Sequence, residues 1–211
     1  MTPRAEQKQQ TRQALMHAAL TLMESGRGFG SLSLREVTRV AGIVPTGFYR
    51  HFADMDELGL ALVAEVGETF RAAIRQVRRH EFEMRGMIDA SVRIFLAEVA
   101  ANHGQFLFLA REQYGGSRTV RQAIAALRER ITSDLAADLK LMNRMPQLDD
   151  AGLDVVSDLV VKTVFATLPE LIDPPAETLP AHLTPEAKMT QQLRFIFIGV
   201  KHWQGLGQGR D

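Results

Sequence analysis

The sequence predicts an all-α protein, and three observations predict it. Apolar residues recur with a period near 3.6 along most of the 211 residues. Capping and breaking residues bracket those stretches, and no stretch alternates apolar with polar residues as a half-buried strand does. The composition, 45% hydrophobic and 24% charged with equal numbers of basic and acidic side chains, is that of a globular chain and excludes a disordered tail or a supercharged binder. With no cysteine, a disulfide framework, a thiolate nucleophile and a cysteine zinc finger are excluded as well.

Helix one is expected from Thr2-Pro3, an N-cap followed by proline in the first turn, to about Glu24, with Leu15, Ala18, Ala19, Leu22 and Met23 on one face. Gly26, Gly28 and Gly30 end it, because so many glycines cannot hold a helix against their backbone entropy. Ser33-Leu34-Arg35-Glu36 reads as a capping box that starts helix two at Leu34, and Gly42 stops it. Pro45 opens a short third helix through Phe52. Asp54 and Glu57 then cap a long fourth helix, striped by Leu58, Leu62, Val66, Phe70, Ile74 and Val77 to about His80. Further helical segments fit residues 87–101, 104–114, 118–143 and 151–171, punctuated by Asn102-His103-Gly104, Gly115-Gly116-Ser117 and Met145-Pro146. Five of the eight prolines fall between Pro169 and Pro185, which makes 173–183 a semi-rigid linker. Thr184-Pro185-Glu186 restarts a last helix to Trp203, and the tail from Gly205 is expected to fray.

Overall neutrality hides a split by sign. Residues 1–52 carry seven Lys or Arg against three Glu, and the rest of the chain carries 18 against 22 acids, which points to a nucleic-acid-binding head on an acidic body. The start has no apolar stretch of signal-peptide length, and the longest apolar run near the end, Phe195 to Val200, is far short of the ~20 residues a span requires. A cytoplasmic protein without membrane contact is therefore expected. Two short helices joined by Ala41-Gly42-Ile43-Val44, the second ending in Tyr49-Arg50-His51-Phe52, match the helix-turn-helix plan. In that plan the second helix lies in a major groove while the capped first helix points its N-terminal amides at a phosphate. The expected organisation is a DNA-binding domain over residues 1–54 and a helical ligand-binding and dimerisation domain over residues 55–211.

Ser33-Leu34-Arg35-Glu36-Val37, Ala41-Gly42-Ile43 and Phe48-Tyr49-Arg50-His51-Phe52, followed by Asp56-Glu57-Leu58, resemble the DNA-binding head of TetR-type repressors. Arg35-Glu36-Val37, Phe48-Tyr49-Arg50-His51-Phe52, Asp56-Glu57-Leu58-Gly59-Leu60 and Arg111-Glu112 also resemble the branch of that family that represses desaturase and unsaturated fatty-acid synthesis genes. The resemblance implies an all-helical homodimer on a palindromic double-stranded DNA operator, regulated by long-chain acyl-CoA, saturated against unsaturated, with no catalytic role and no cofactor. It implies that Tyr49 contacts phosphate, that Thr46, Gly47 and Arg50 face the groove, and that Ser33 and Arg35 hold the backbone. This chain departs from the family pattern at Val44, where Ser or Thr usually opens the recognition helix, at Thr38, where Ala is common, and at Asp54 and Asp56, where a phosphate-binding Lys is frequent. Phosphate contacts at the start of helix four are therefore not carried over.

Eight of the eleven phenylalanines lie beyond the head. Phe95, Phe106, Phe108, Leu109, Tyr114, Met142 and Phe165 either line an apolar tunnel or fill a core, and family likeness singles out Phe106, Leu109 and Phe165. Arg111, Arg118 and Arg121 flank the Gly115-Gly116 turn and are either CoA-phosphate ligands or ordinary surface arginines. Val156, Val160, Phe197, Val200 and Trp203 are expected to be exposed on the last two helices and to form a two-fold interface. Phe48 and Phe52 are read as packing against helix one rather than touching bases. The glycines before helix two lack the Gly-Lys-Ser/Thr ending of a phosphate loop, no His pair has helical zinc spacing, and no nucleophile elbow is present. Two rival functions stay open: a small helical acyl-binding protein that does not touch DNA, and a TetR-type regulator of drug efflux that senses another hydrophobe.

Overall fold

Helix α1 (Pro3–Glu24) begins on a proline, whose missing N–H is no loss in a first turn, and ends before Gly26, which adopts φ +95°. The computed structural model describes residues 3–78, 84–143, 145–174, 180–201 and 203, without the side chains at 77, 78, 84 and 85. The expected cap at Thr2, the stripe residue Val77, the end of helix four at His80, the middle of the 173–183 linker and the tail from Gly205 lie outside the described residues. Among the described residues there are nine α-helices, two 3-10 turns and no strand. None of these helices is long and apolar enough to cross a membrane.

After the 3-10 turn Phe29–Ser31, α2 (Leu34–Val40) carries the expected capping box: the Glu36 amide donates to Ser33 Oγ at 3.3 Å, and the Ser33 amide donates to Glu36 Oε2 at 3.0 Å. Gly42 stops it with φ +69°, a conformation that strains any side chain with a Cβ. Helix α3 (Pro45–Phe48) is shorter than expected, since Tyr49 is already its C-cap. Asp54 Oδ1 accepts from the Glu57 amide at 2.8 Å while Glu57 reaches back to the Ala53 amide, so the expected cap of α4 (Met55–Arg78) is a closed box. The order continues with α5 (Met84–Ala101), α6 (His103–Glu112), α7 (Arg118–Leu141), α8 (Asp150–Ile172), the 3-10 turn Ala181–Leu183 and α9 (Pro185–Val200). Helix α9 stops three residues short of Trp203.

The chain forms two compact units, Met1–Thr69 with Ala101–Leu127, and Phe70–Ala100 with Arg128–Asp211. The division falls inside the long helices α4 and α7. In the first unit, Leu15, Ala19 and Met23 of α1 are buried with Val37, Phe48, Phe52, Leu58 and Leu62. Phe29 of the glycine-rich loop stands edge-on to Phe108 of α6, ring centroids 5.5 Å apart, so this loop anchors an aromatic side chain. In the second unit, one cluster gathers Leu139, Met145, Leu153, Val156 and Val200, another Ile88, Val92, Met189 and Leu193, and Val160, Ile196 and Phe197 pack against both.

That packing corrects the expected dimer face. Val156 and Val200 are buried within their own unit, Val160 and Phe197 bridge its two clusters, and Trp203 is half-buried beside Gly152. Helix α8 is apolar around most of its circumference, so periodicity finds the helix but leaves its rotation open. The exposed large apolar residues of the two helices are Leu159, Phe195 and Ile198, at 45%, 78% and 56% exposure.

Candidate DNA interface and effector cavity

The face around α3 is built by short-range chemistry. Pro45 fixes the first turn and Phe48 is wholly buried, so Val44, Thr46, Tyr49 and Arg50 point outward. Tyr49 is 63% exposed, its ring edge-on to Phe48 at 5.8 Å, which holds the phenol in one direction without burying it. Gly47 is half-buried because a Cβ there would lie 2.8 Å from Ile43 Cγ2, so this glycine admits the close approach of α3 to the turn. Arg35 and Arg39 are exposed on α2. Thr38, by contrast, is buried, and its hydroxyl donates to the Leu34 carbonyl at 2.9 Å.

Ser33 is committed to its helix. Its hydroxyl donates to Glu36 Oε2 at 2.7 Å, and Arg27 Nη1 donates to Glu36 Oε1 at 2.6 Å. The Arg27 guanidinium first, then the Ser33 hydroxyl and amide, hold the Glu36 carboxyl down to about 2. The N-terminus of α2 therefore carries a neutralised carboxylate rather than bare amides. At α4, Asp54 caps the helix and Asp56 accepts from Ser117 Oγ at 2.8 Å, so both acids are spoken for within the first unit. Neither Arg27 nor Arg12 stood out in the sequence. Arg12 Nη1 donates to the His51 carbonyl at 2.9 Å and its guanidinium stacks 4.3 Å over the Phe52 ring.

Helix α6 reaches the same head through two adjacent residues. Arg111 Nη1 donates to the Met23 carbonyl at 2.8 Å, capping the end of α1, and the Phe29 amide donates to the buried Glu112 Oε1 at 2.8 Å. Arg121 donates to the Gly115 and Gly116 carbonyls and so closes its own turn. Arg118 is exposed, as is Tyr114 at 83%. Phe106 and Leu109 are buried in the first unit. These six residues, the arginines offered for CoA included, do not line the cavity described next, because α6 and the start of α7 belong to the other unit.

The second unit holds a cavity of about 180 Å³, walled by the end of α4, α5, the second half of α7, α8 and α9. Phe95, Met142 and Phe165 line it, and so do Val160 and Phe197. Phe70 is stacked on Phe165, centroids 5.6 Å apart at 12°, and tilted against Phe95 at 5.8 Å, giving a wall of three rings. Most of the remaining wall is aliphatic, which a search for aromatics overlooks: Ile88, Val92, Leu135, Met189 and Leu193. Among the described residues, Ser91 and Asp138 are the polar lining residues, the Ser91 hydroxyl turned to the Met87 carbonyl at 2.7 Å, and none of the lining residues is a Lys, Arg or His. Such a wall desolvates an apolar body. Among the described residues no group of three or more His, Asp or Glu is placed to hold a metal ion.

Two family profiles match the chain. Residues 15–62 match the profile of bacterial regulatory proteins of the tetR family, and residues 84–199 match that of the tetracyclin repressor-like C-terminal domain. Among solved structures, a protein described as a TetR-family transcriptional regulator from Syntrophomonas wolfei superposes with TM-score 0.73 at 14% identity, over 95% of this chain and 99% of that one. The fatty acid degradation regulator FadR of Bacillus halodurans gives 0.69 at 12% identity, over 98% of each chain. FadR of Bacillus subtilis, solved with stearoyl-CoA, gives 0.64 at 11%, over 87% of this chain and 96% of that one. At these identities the likeness is one of fold.

Proposed function

Because the chain belongs to the tetR family and is thus a DNA-binding transcriptional regulator and not an enzyme, we propose that it represses as a homodimer on a palindromic operator and is switched by a ligand with a long apolar tail. Long-chain acyl-CoA is the ligand class this reading favours, and desaturation genes are the proposed targets. The observation that carries it is the cavity in the second unit, whose walls, among the described residues, are almost wholly apolar. They suit an acyl chain whose charged headgroup stays outside them. The FadR neighbours, one of them solved with stearoyl-CoA, lend support at the level of fold.

Size adds a constraint. An apolar cavity of about 150 Å³ takes up benzene, so 180 Å³ admits only part of a long chain. The remaining methylenes, each contributing about 0.8 kcal/mol when buried, must part the walls. A ligand that binds one wall arrangement better than another shifts the population between them, which regulation requires. The same size favours one second reading, a compact uncharged hydrophobe that fills the cavity as it stands. Mass spectrometry of the natively purified protein separates the two: retained acyl-CoA supports the first, and a small neutral molecule supports the second.

The proposed DNA contacts are Tyr49 to phosphate, Thr46 and Arg50 in the groove, and Arg35 on the backbone, all exposed on one unit. Ser33 and Gly47 shape that face by capping α2 and admitting α3. The proposed two-fold contact is the apolar face with Leu159, Phe195 and Ile198, since large apolar side chains exposed together mark an interface.

A further inference from the structure

Helix α1 starts well before the family profile, which begins at residue 15, and residues 3–10 are all exposed. Burial begins at Leu15, so the extension is not held by a core. Its charges are sorted by face. At about 100° per residue, Arg4, Lys8 and Arg12 fall within an arc of about 80°, whereas Glu6, the one acid among residues 3–14, sits about 120° or more from each. Arg12 docks the root of this face against the recognition segment, through the His51 carbonyl at 2.9 Å and the Phe52 ring at 4.3 Å. Lys8 and Arg50 share the same neighbourhood. Burial lowers the His51 pKa most, and the charges of Lys8, Arg12 and Arg50 lower it further. Gathering like charges is unfavourable in the free protein and is offset when a polyanion arrives.

We propose that the N-terminal extension of α1 is a second DNA contact, in which Arg4 and Lys8, aligned by Arg12, neutralise backbone phosphates beside the groove that α3 enters. The occupant is double-stranded DNA, because Arg4 and Lys8 stand exposed on the same helix whose Arg12 docks on the segment that presents the exposed Tyr49 and Arg50. Arg12 is a positioning residue, its guanidinium already engaged by carbonyl and ring. The contact carries no base information, so it strengthens binding to every sequence alike.

The test is the affinity of the full-length protein for a mixed-sequence duplex across a range of salt. Each phosphate neutralised contributes about 0.9 to the log-log slope, so Arg4→Ala with Lys8→Ala flattens it by roughly one to two units. Arg4→Lys with Lys8→Arg keeps the slope, and Gln10→Ala, on the opposite side of the helix, leaves it unchanged. Far-UV circular dichroism and the melting temperature stay as in the unaltered protein, since both side chains are exposed. An unchanged slope in the double alanine variant overturns the proposal. The inference rests on the DNA-binding role of the head, whose own failure is distinguishable as no duplex binding by the unaltered protein.

Discussion

Glu36 shows how much a single side chain settles in this protein. It closes the α2 cap and receives Arg27, so the α2 N-terminus carries a carboxylate already paired with a cation. Its carboxyl is held down to about 2 from an ordinary value near 4.5, so its contribution to stability is fully present above pH 4.5 and is lost as the pH falls toward 2. Observing its carboxyl carbon by NMR during an acid titration should give a midpoint near 2, rising toward the ordinary value in Arg27→Ala; a midpoint unmoved by that substitution contradicts the account. Phe165 matters in the second unit. Phe165→Ala removes the ring stacked on Phe70 and widens the cavity, and should cost about 3 to 5 kcal/mol in chemical denaturation. A loss below about 1 kcal/mol would place that ring outside the packed wall. Sequence alone made the Ser33–Glu36 box legible, because its partners are three residues apart. Arg27 and Arg12 were not legible, since their partners are brought near by folding, nine and 39 positions away.

At the scale of helices, the starts and stops were readable and the rotations were not. Pro3, Gly42, Pro45, Asp54 and Thr184 act locally on the backbone, and each sits at the end of a helix as expected. Which face of α8 or α9 turns inward depends on what lies opposite, and a helix apolar on several sides carries no record of it. Val160 was therefore expected outside and is found in the cavity wall, while Phe195 and Ile198 are exposed. The two positions now predict opposite outcomes. Phe195→Glu should yield a folded monomer in sedimentation velocity, with operator binding weakened because half-sites need a matched pair of heads. Val160→Glu should instead unfold the second unit by burying a charge in an apolar wall. A folded dimer from Phe195→Glu would remove that face from the interface.

For the whole molecule, the proposed regulation requires that a ligand in the cavity of one unit alter the head in the other. Two helices, α4 and α7, run as single elements through the division, and α6 holds the head through Arg111 and Glu112. A ligand that parts the cavity walls has α4 and α7 as covalent routes to the α1–α3 surface. Arg111→Ala should loosen the end of α1 and reduce the effect of ligand on DNA affinity more than DNA affinity itself; equal proportional losses in both would make Arg111 a stabilising residue only. The DNA-facing half of this picture follows from short motifs, whereas the cavity could not be read from the chain, since its wall combines residues from five helices.

The most direct test is to titrate a saturated and a cis-unsaturated long-chain acyl-CoA of equal length, and CoA alone, against the protein on an operator selected from random duplexes. The account predicts that at least one acyl-CoA changes operator affinity about 5- to 150-fold, the span of about 1 to 3 kcal/mol of coupling, that the two chains differ, and that CoA alone changes nothing. Operator affinity indifferent to both chains, or shifted equally by CoA alone, would contradict it.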